Sequence, residues 1–92
     1  MDIEPVSDEV LDELERLSAA VDPPPWRSFW EGRDHLGGDS FVMVGEDGPT
    51  RRDDLYLTRE GIPAGVEDLD FVAAARTHIS ALIAEIRQHR AS

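Results

Sequence analysis

The chain has 92 residues, with 20 Asp or Glu against nine Arg for a formal net charge of −11, and it contains no cysteine and no lysine. That length holds one domain, 1–92, burying roughly 60–65% of its unfolded surface, which leaves little room for a deep substrate cavity. These totals exclude disulfides and thiolate metal sites, exclude a spanning helix for want of any apolar run near ~18 residues, and disfavour nucleic acid and anionic membranes as partners, since both would repel the chain.

Residues 3–21 carry the first helical signal, and a helix is expected over about 7–21. Ser7 is the expected N-cap, with Pro5 before it and Asp8 and Glu9 in the first turn. Val6 and Leu11 occupy the positions of a hydrophobic staple, and Val10, Leu14, Leu17 and Val21 form one apolar stripe. The opposite face holds Asp8, Glu9, Asp12, Glu13 and Glu15. Like charges fall at i,i+4 in Asp8/Asp12 and Glu9/Glu13, each costing ~0.2–0.5 kcal/mol, and Asp12/Arg16 recovers a similar amount. Residues 1–22 hold eight acids and one base, the densest patch of one sign in the chain.

Asp22 and Pro23-Pro24-Pro25 end this helix, because proline cannot continue it and restricts the residue before it. The segment reads as a stiff corner whose Trp26 plugs the edge of the core, in preference to a polyproline ligand. Residues 26–60 then change to short segments with a period of two: WRSFWEGR, SFVMVG and DLYLT. Leu36-Gly37-Gly38-Asp39 turns the first strand into the second, and Glu46-Asp47-Gly48-Pro49 ends the second. FVMV reads as a central strand covered on both faces. A three-stranded antiparallel meander is expected.

Gly61-Ile62-Pro63-Ala64 leads to the longest element, a helix expected over about 66–90 with Gly65 as N-cap. Leu69, Val72, Ala75, Ile79, Leu82 and Ile86 recur at spacings of three and four, widened by Ile83, as on a helix packed against a core. Glu67, Asp68 and Asp70 at the start and Arg87 and Arg90 at the end suit the macrodipole. The expected fold is α+β, a single small domain in the order α-β-β-β-α, with the meander packed against both helices. The run Ala73-Ala74-Ala75 removes bulk where Trp26, Phe29, Trp30 or a second copy of the chain could approach, and Arg76 beside it reads as a snorkelling base or the partner of an acid on the first helix.

The residues that could carry chemistry do not converge. His78 and His89 are about three helical turns apart, and Asp34-His35 lacks a third partner at ligand spacing, so no metal or cofactor is expected. No H-E-x-x-H, P-loop, G-x-G-x-x-G or nucleophile elbow occurs. The carboxylate pairs Glu46-Asp47, Asp53-Asp54 and Glu67-Asp68 are what a chain with 20 acids produces by adjacency, and Asp68-x-Asp70 lacks the glycine and distal Glu of a calcium loop. Arg51, Arg52 and Arg59 are offset by Asp53, Asp54 and Glu60. No catalytic residue is assigned.

Pro24-Pro25-Trp26, a short β region, and then Glu67-Asp68-x-x-Phe71-Val72-Ala73-Ala74-Ala75-Arg76 with a Leu/Ile-rich tail resembles a loose group of short actinobacterial and phage proteins. These carry a P-G-P-W turn and a D-x-x-F-I-A-A-A-R element. The similarity spans roughly residues 19–90, with Pro24 standing where glycine is usual. The resemblance implies architecture and setting and carries over no catalytic residue. Absence of lysine and asparagine, whose codons are A-rich, agrees with a GC-rich bacterial genome, and the acidic N-terminus lacks the basic region of a signal peptide, so a cytoplasmic location is expected. Composition points to a non-enzymatic inhibitor, immunity protein or antitoxin that engages a basic protein, a nuclease or toxin, through Asp8, Asp12, Glu13 and Glu15. The alternative is a module that dimerises through its C-terminal helix.

Overall fold

The computed structural model describes residues 5–45 and 54–91, and its first element begins at the residue whose side chain predicts it. Ser7 lies in extended backbone, its Oγ accepts from the Val10 amide at 3.2 Å, and helix α1 follows over Asp8–Ala20. The last turn of α1 contains no base. Arg76 reaches over from the C-terminal helix instead, donating to Ser18 Oγ at 2.7 Å, the Ser18 carbonyl at 3.2 Å and the Asp22 carbonyl at 3.0 Å. A guanidinium from another element thus satisfies carbonyls that a helix end leaves open. Its partners are carbonyls and a hydroxyl, where an acid was one expectation.

The three prolines stop α1, with the Pro24–Pro25 peptide cis. Trp26 closes the corner. Its indole N–H donates to the Asp22 carbonyl at 3.2 Å, and the ring packs half-buried against a core cluster of Val42, Ala64, Leu69 and Ala73. One hydroxyl holds its backbone on both sides: the Trp26 amide donates to Thr77 Oγ1 at 3.0 Å, and Thr77 Oγ1 donates to the Trp26 carbonyl at 2.9 Å.

Strand β1 (Trp26–Phe29) pairs antiparallel with β2 (Phe41–Val44), Trp26 opposite Val44 and Phe29 opposite Phe41. As the uninterrupted FVMV run predicts, Val42, Met43 and Val44 are all buried. The first strand is shorter than WRSFWEGR, because the backbone folds after Phe29 into a turn in which Asp34 Oδ2 accepts from the Trp30 amide at 2.8 Å. The three-stranded meander is not formed. Residues 54–57 meet β2 at one bridge, Val42–Leu55, with two backbone hydrogen bonds of 2.9 Å. The chain then makes a second two-stranded sheet, β3 (Thr58–Arg59) with β4 (Ile62–Pro63). The cause is local. Glu60 (φ 51°) and Gly61 (φ 81°) are both left-handed, the pairing a tight two-residue hairpin requires, so the chain doubles back on itself before it can extend along β2. The Glu46-Asp47-Gly48-Pro49 turn, together with Arg51, Arg52 and Asp53, lies outside the described residues.

Helix α2 occupies Val66–Ala91, 26 residues. Gly65 caps it: its carbonyl accepts the first helical bonds from Asp68 and Leu69, and Asp68 Oδ2 accepts back from the Gly65 amide at 3.2 Å. The fold is therefore α+β, with two helices and two short antiparallel sheets among the described residues, and α1 packs against α2 alone among the named elements.

Which face of α2 is covered departs most from expectation. Leu69, Ala73 and Ile83 are buried, but of the remaining predicted stripe Val72, Ile79 and Ile86 are half-buried, Ala75 is exposed and Leu82 is 52% exposed. Between Ala73 and Ile83 the half-buried polar residues are Arg76 and Thr77, and the exposed Ser80 Oγ lies 3.0 Å from Ser18 Oγ at the edge of the contact. Hydrogen bonds from these polar side chains to α1 and Trp26 set the helix's rotation, turning part of the apolar stripe outward. The same holds on α1, where Leu11 is buried while Val10 and Leu17 are each 47% exposed. Ala73 does take a small residue's place, with Trp26 and Trp30 packed against its cluster, while Ala74 and Ala75 are exposed.

Candidate functional site

The four acids expected to bind a partner are each engaged within the chain. Arg90 Nη1 donates to Asp8 Oδ1 at 2.9 Å and Nη2 to the Val6 carbonyl. Arg87 Nη2 donates to Asp12 Oδ1 at 2.8 Å and Glu15 Oε2 at 3.4 Å, and Arg16 Nε donates to Glu13 Oε2 at 3.0 Å along α1 itself. The hydrogen bond from Arg87 to Asp12 raises the guanidinium's pKa further. Arg87 and Arg90, expected to complement the dipole of α2, also fasten α1 to it. The acids remain more than half exposed, so they still contribute to the field around the molecule.

Asp34 and His35 do not act as a pair. Asp34 turns to the Trp30 amide and to Arg33, whereas His35 Nδ1 lies 2.8 Å from the Gly37 carbonyl and its ring leans on Phe29 and Phe41 at 6.4 and 5.7 Å. Among the described residues no three His, Asp or Glu are grouped to hold a metal ion. Arg33 forms the main polar clamp. It donates to both oxygens of Asp70 at 2.9 and 3.1 Å and to Asp34 at 2.8 Å, while Ser28 Oγ donates to Asp70 Oδ1. Hydrogen bonds from Arg33 first, with the Ser28 hydroxyl second, hold the Asp70 carboxyl below its usual range. Arg33 and then the Trp30 amide do the same for Asp34. The clamp ties the loop after β1 to the first turns of α2.

A cleft of about 500 Å³ opens between the loop that joins β1 to β2 and the segment leading into the β3–β4 hairpin, lined among others by Trp30, Glu31, Asp39, Ser40, Tyr56 and Leu57. That volume is in the range of small-ligand and side-chain pockets, roughly 300–1,000 Å³. One wall is fixed by the Glu31 amide donating to Ser40 Oγ at 3.0 Å. The other is fixed by the Val42–Leu55 bridge and by the Ala64 amide donating to the Leu57 carbonyl at 2.9 Å. The Tyr56 ring lies 6.0 Å from Phe41, which stacks on Phe29 at 5.3 Å. Trp30 and Leu57 also pack on the core cluster, which gives the cleft a rigid floor. Glu31 and Asp39 have no ion-pair partner among the described residues, unlike Asp8, Asp12, Glu13 and Glu15 of α1. Two carboxylates beside indole and phenol rings suit a cation, whose charge the acids neutralise and whose plane the rings accept. Sequence reasoning missed this site, because its lining comes from separate segments and the Val42–Leu55 bridge, which has no local signature, sets Tyr56 and Leu57 beside the others.

No family model matches this chain, nor does any of the curated proteins or solved structures compared with it.

Proposed function

We propose that the protein is a non-enzymatic binding protein of the inhibitor or immunity type, and that an arginine or lysine side chain of its basic protein partner enters the cleft between Trp30, Glu31, Asp39 and Tyr56. One observation carries this reading: the cleft places two carboxylates, neither ion-paired among the described residues, beside two aromatic rings. A guanidinium there gains charge-assisted hydrogen bonds and a ring face together, whereas at α1 it would compete with Arg16, Arg87 and Arg90. Asp8, Asp12, Glu13 and Glu15 keep a supporting part. With a net charge of −11 they speed the approach of a basic nuclease or toxin, and the cleft holds it.

The test is titration calorimetry with a short arginine-rich peptide at low and moderate salt. Glu31→Gln with Asp39→Asn should weaken binding about tenfold or more, equivalent to at least ~1.4 kcal/mol. Asp12→Asn with Glu15→Gln should mainly slow association at low salt, by about two- to threefold. Equal affinity of the Glu31/Asp39 variant and the unaltered chain would remove the cleft from the account.

A further inference from the structure

We propose that the basic partner enters the cleft as an extended strand, pairing antiparallel with the open edge of residues 55–59 so that its arginine or lysine stands on the cleft side. The inference rests on the cleft reading and adds to it the backbone conformation of the ligand.

The open edge follows from the register. Alternate residues of an antiparallel strand turn their amide and carbonyl to opposite edges. Leu55 exchanges two hydrogen bonds of 2.9 Å with Val42, the Leu57 carbonyl accepts from the Ala64 amide at 2.9 Å, and Arg59 faces Ile62 across the Glu60-Gly61 turn. Those three residues therefore share one edge, occupied first by β2 and then by β4. Tyr56 and Thr58 turn theirs the other way. Tyr56 has no backbone hydrogen bond among the described residues, and Thr58 sits opposite Pro63, whose nitrogen has no hydrogen to give. Two amides and two carbonyls, on residues about 7 Å apart, are thus left for another strand.

The two outer edges of the small sheet differ. An exposed edge recruits other strands unless proline or charge blunts it. On β4 it is blunted, because Pro63 stands where an amide would face outward. On the 55–59 edge the pairing positions hold tyrosine, 58% exposed, and threonine, also exposed; both are uncharged and suited to strands.

Side-chain direction joins this edge to the cleft. Residues opposite one another in a sheet share a face, as do residues two apart. Tyr56, Thr58 and Pro63 share the face that lines the cleft, while Leu57 and Ala64 share the other, which meets the core cluster. In an added antiparallel strand, the residues that bond Tyr56 and Thr58 lie directly opposite them, so their side chains enter the cleft beside Glu31 and Asp39. Those carboxylates select a basic strand. A second copy, itself at −11, would bring acids to acids. A helix or a compact loop would leave the four backbone groups unpaired.

The probe is a peptide of about seven residues alternating arginine with threonine, added to the full chain at low salt. At saturation the Tyr56 and Thr58 amides should exchange with solvent about tenfold more slowly, while the Leu55 amide, already bonded to Val42, changes little. Methylating the peptide's backbone nitrogen at two arginines should weaken binding about tenfold, the equivalent of two lost hydrogen bonds; the same change at two threonines should weaken it by less than about twofold. Equal effects at the two sets of positions overturn the strand and leave the cleft reading standing. So do unchanged Tyr56 and Thr58 amides under a peptide whose binding still needs Glu31 and Asp39. A peptide that does not bind at all overturns both. Slower exchange of the same two amides with rising protein concentration, and no peptide present, gives the edge to a second copy and overturns the proposal.

Discussion

A single hydroxyl fixes the corner on which the sheet hangs. Thr77 Oγ1 both receives from and donates to the Trp26 backbone, in a half-buried position. Valine there keeps the shape but leaves an amide and a carbonyl unpaired. Thr77→Val should therefore cost about 1–3 kcal/mol, read as a lower urea midpoint at unchanged slope. The Arg33 clamp has a different signature. Asp70 and Asp34 are held below their ordinary pKa in the folded chain, chiefly by hydrogen bonds from Arg33. Groups with depressed folded values stabilise the fold fully above the unfolded value of about 3.9, and that contribution disappears as pH falls through the lowered value. Urea midpoints between pH 7 and pH 2 should thus fall more steeply below about pH 4 in the native chain than in Asp70→Asn. Parallel curves would show that the clamp carries no linkage.

At the level of elements, local chemistry was legible and rotation was not. Ser7 with Asp8 and Glu9, and Gly65 with Asp68, mark both helix starts because a cap is a contact among neighbours in sequence. FVMV was equally plain. The third strand was misread because Glu60-Gly61 looks weaker as a turn than Asn-Gly or Asp-Gly, yet both residues adopt the left-handed backbone of a tight hairpin. The stripe on α2 was misassigned for a different reason. Counting apolar residues assumes that the covered side is the greasiest one, whereas Arg76 and Thr77 find partners across the interface and hold their side half-buried. Acids posed the same difficulty: nothing in the spacing of Asp8, Asp12 and Glu15 reveals that Arg87 and Arg90, more than 70 positions later, meet them. Glu31, Asp39 and Tyr56 come together only once the chain is folded, so the cleft had no local signature.

For the molecule as a whole, α2 is the shared support: β1 and β2 pack along one part of it and α1 along another. Because α1 touches no other named element, its attachment is a single seam of Leu11, the Ser18–Ser80 contact, the Arg76 bonds and the exposed pairs to Arg87 and Arg90. A helix held by one neighbour, through contacts that are mostly solvent-facing, opens at lower free energy than the body it leaves. In amide hydrogen exchange at dilution, the amides of Leu11 to Ser18 should lose protection together and well before those of Ala73 to Ile83; one common rate for both groups would mean that the chain opens only as a whole. The N-terminal helix would then be the part of this protein with a life of its own: released by brief, partial unfolding while the sheets and the long helix stay assembled, and returned when its seam closes again.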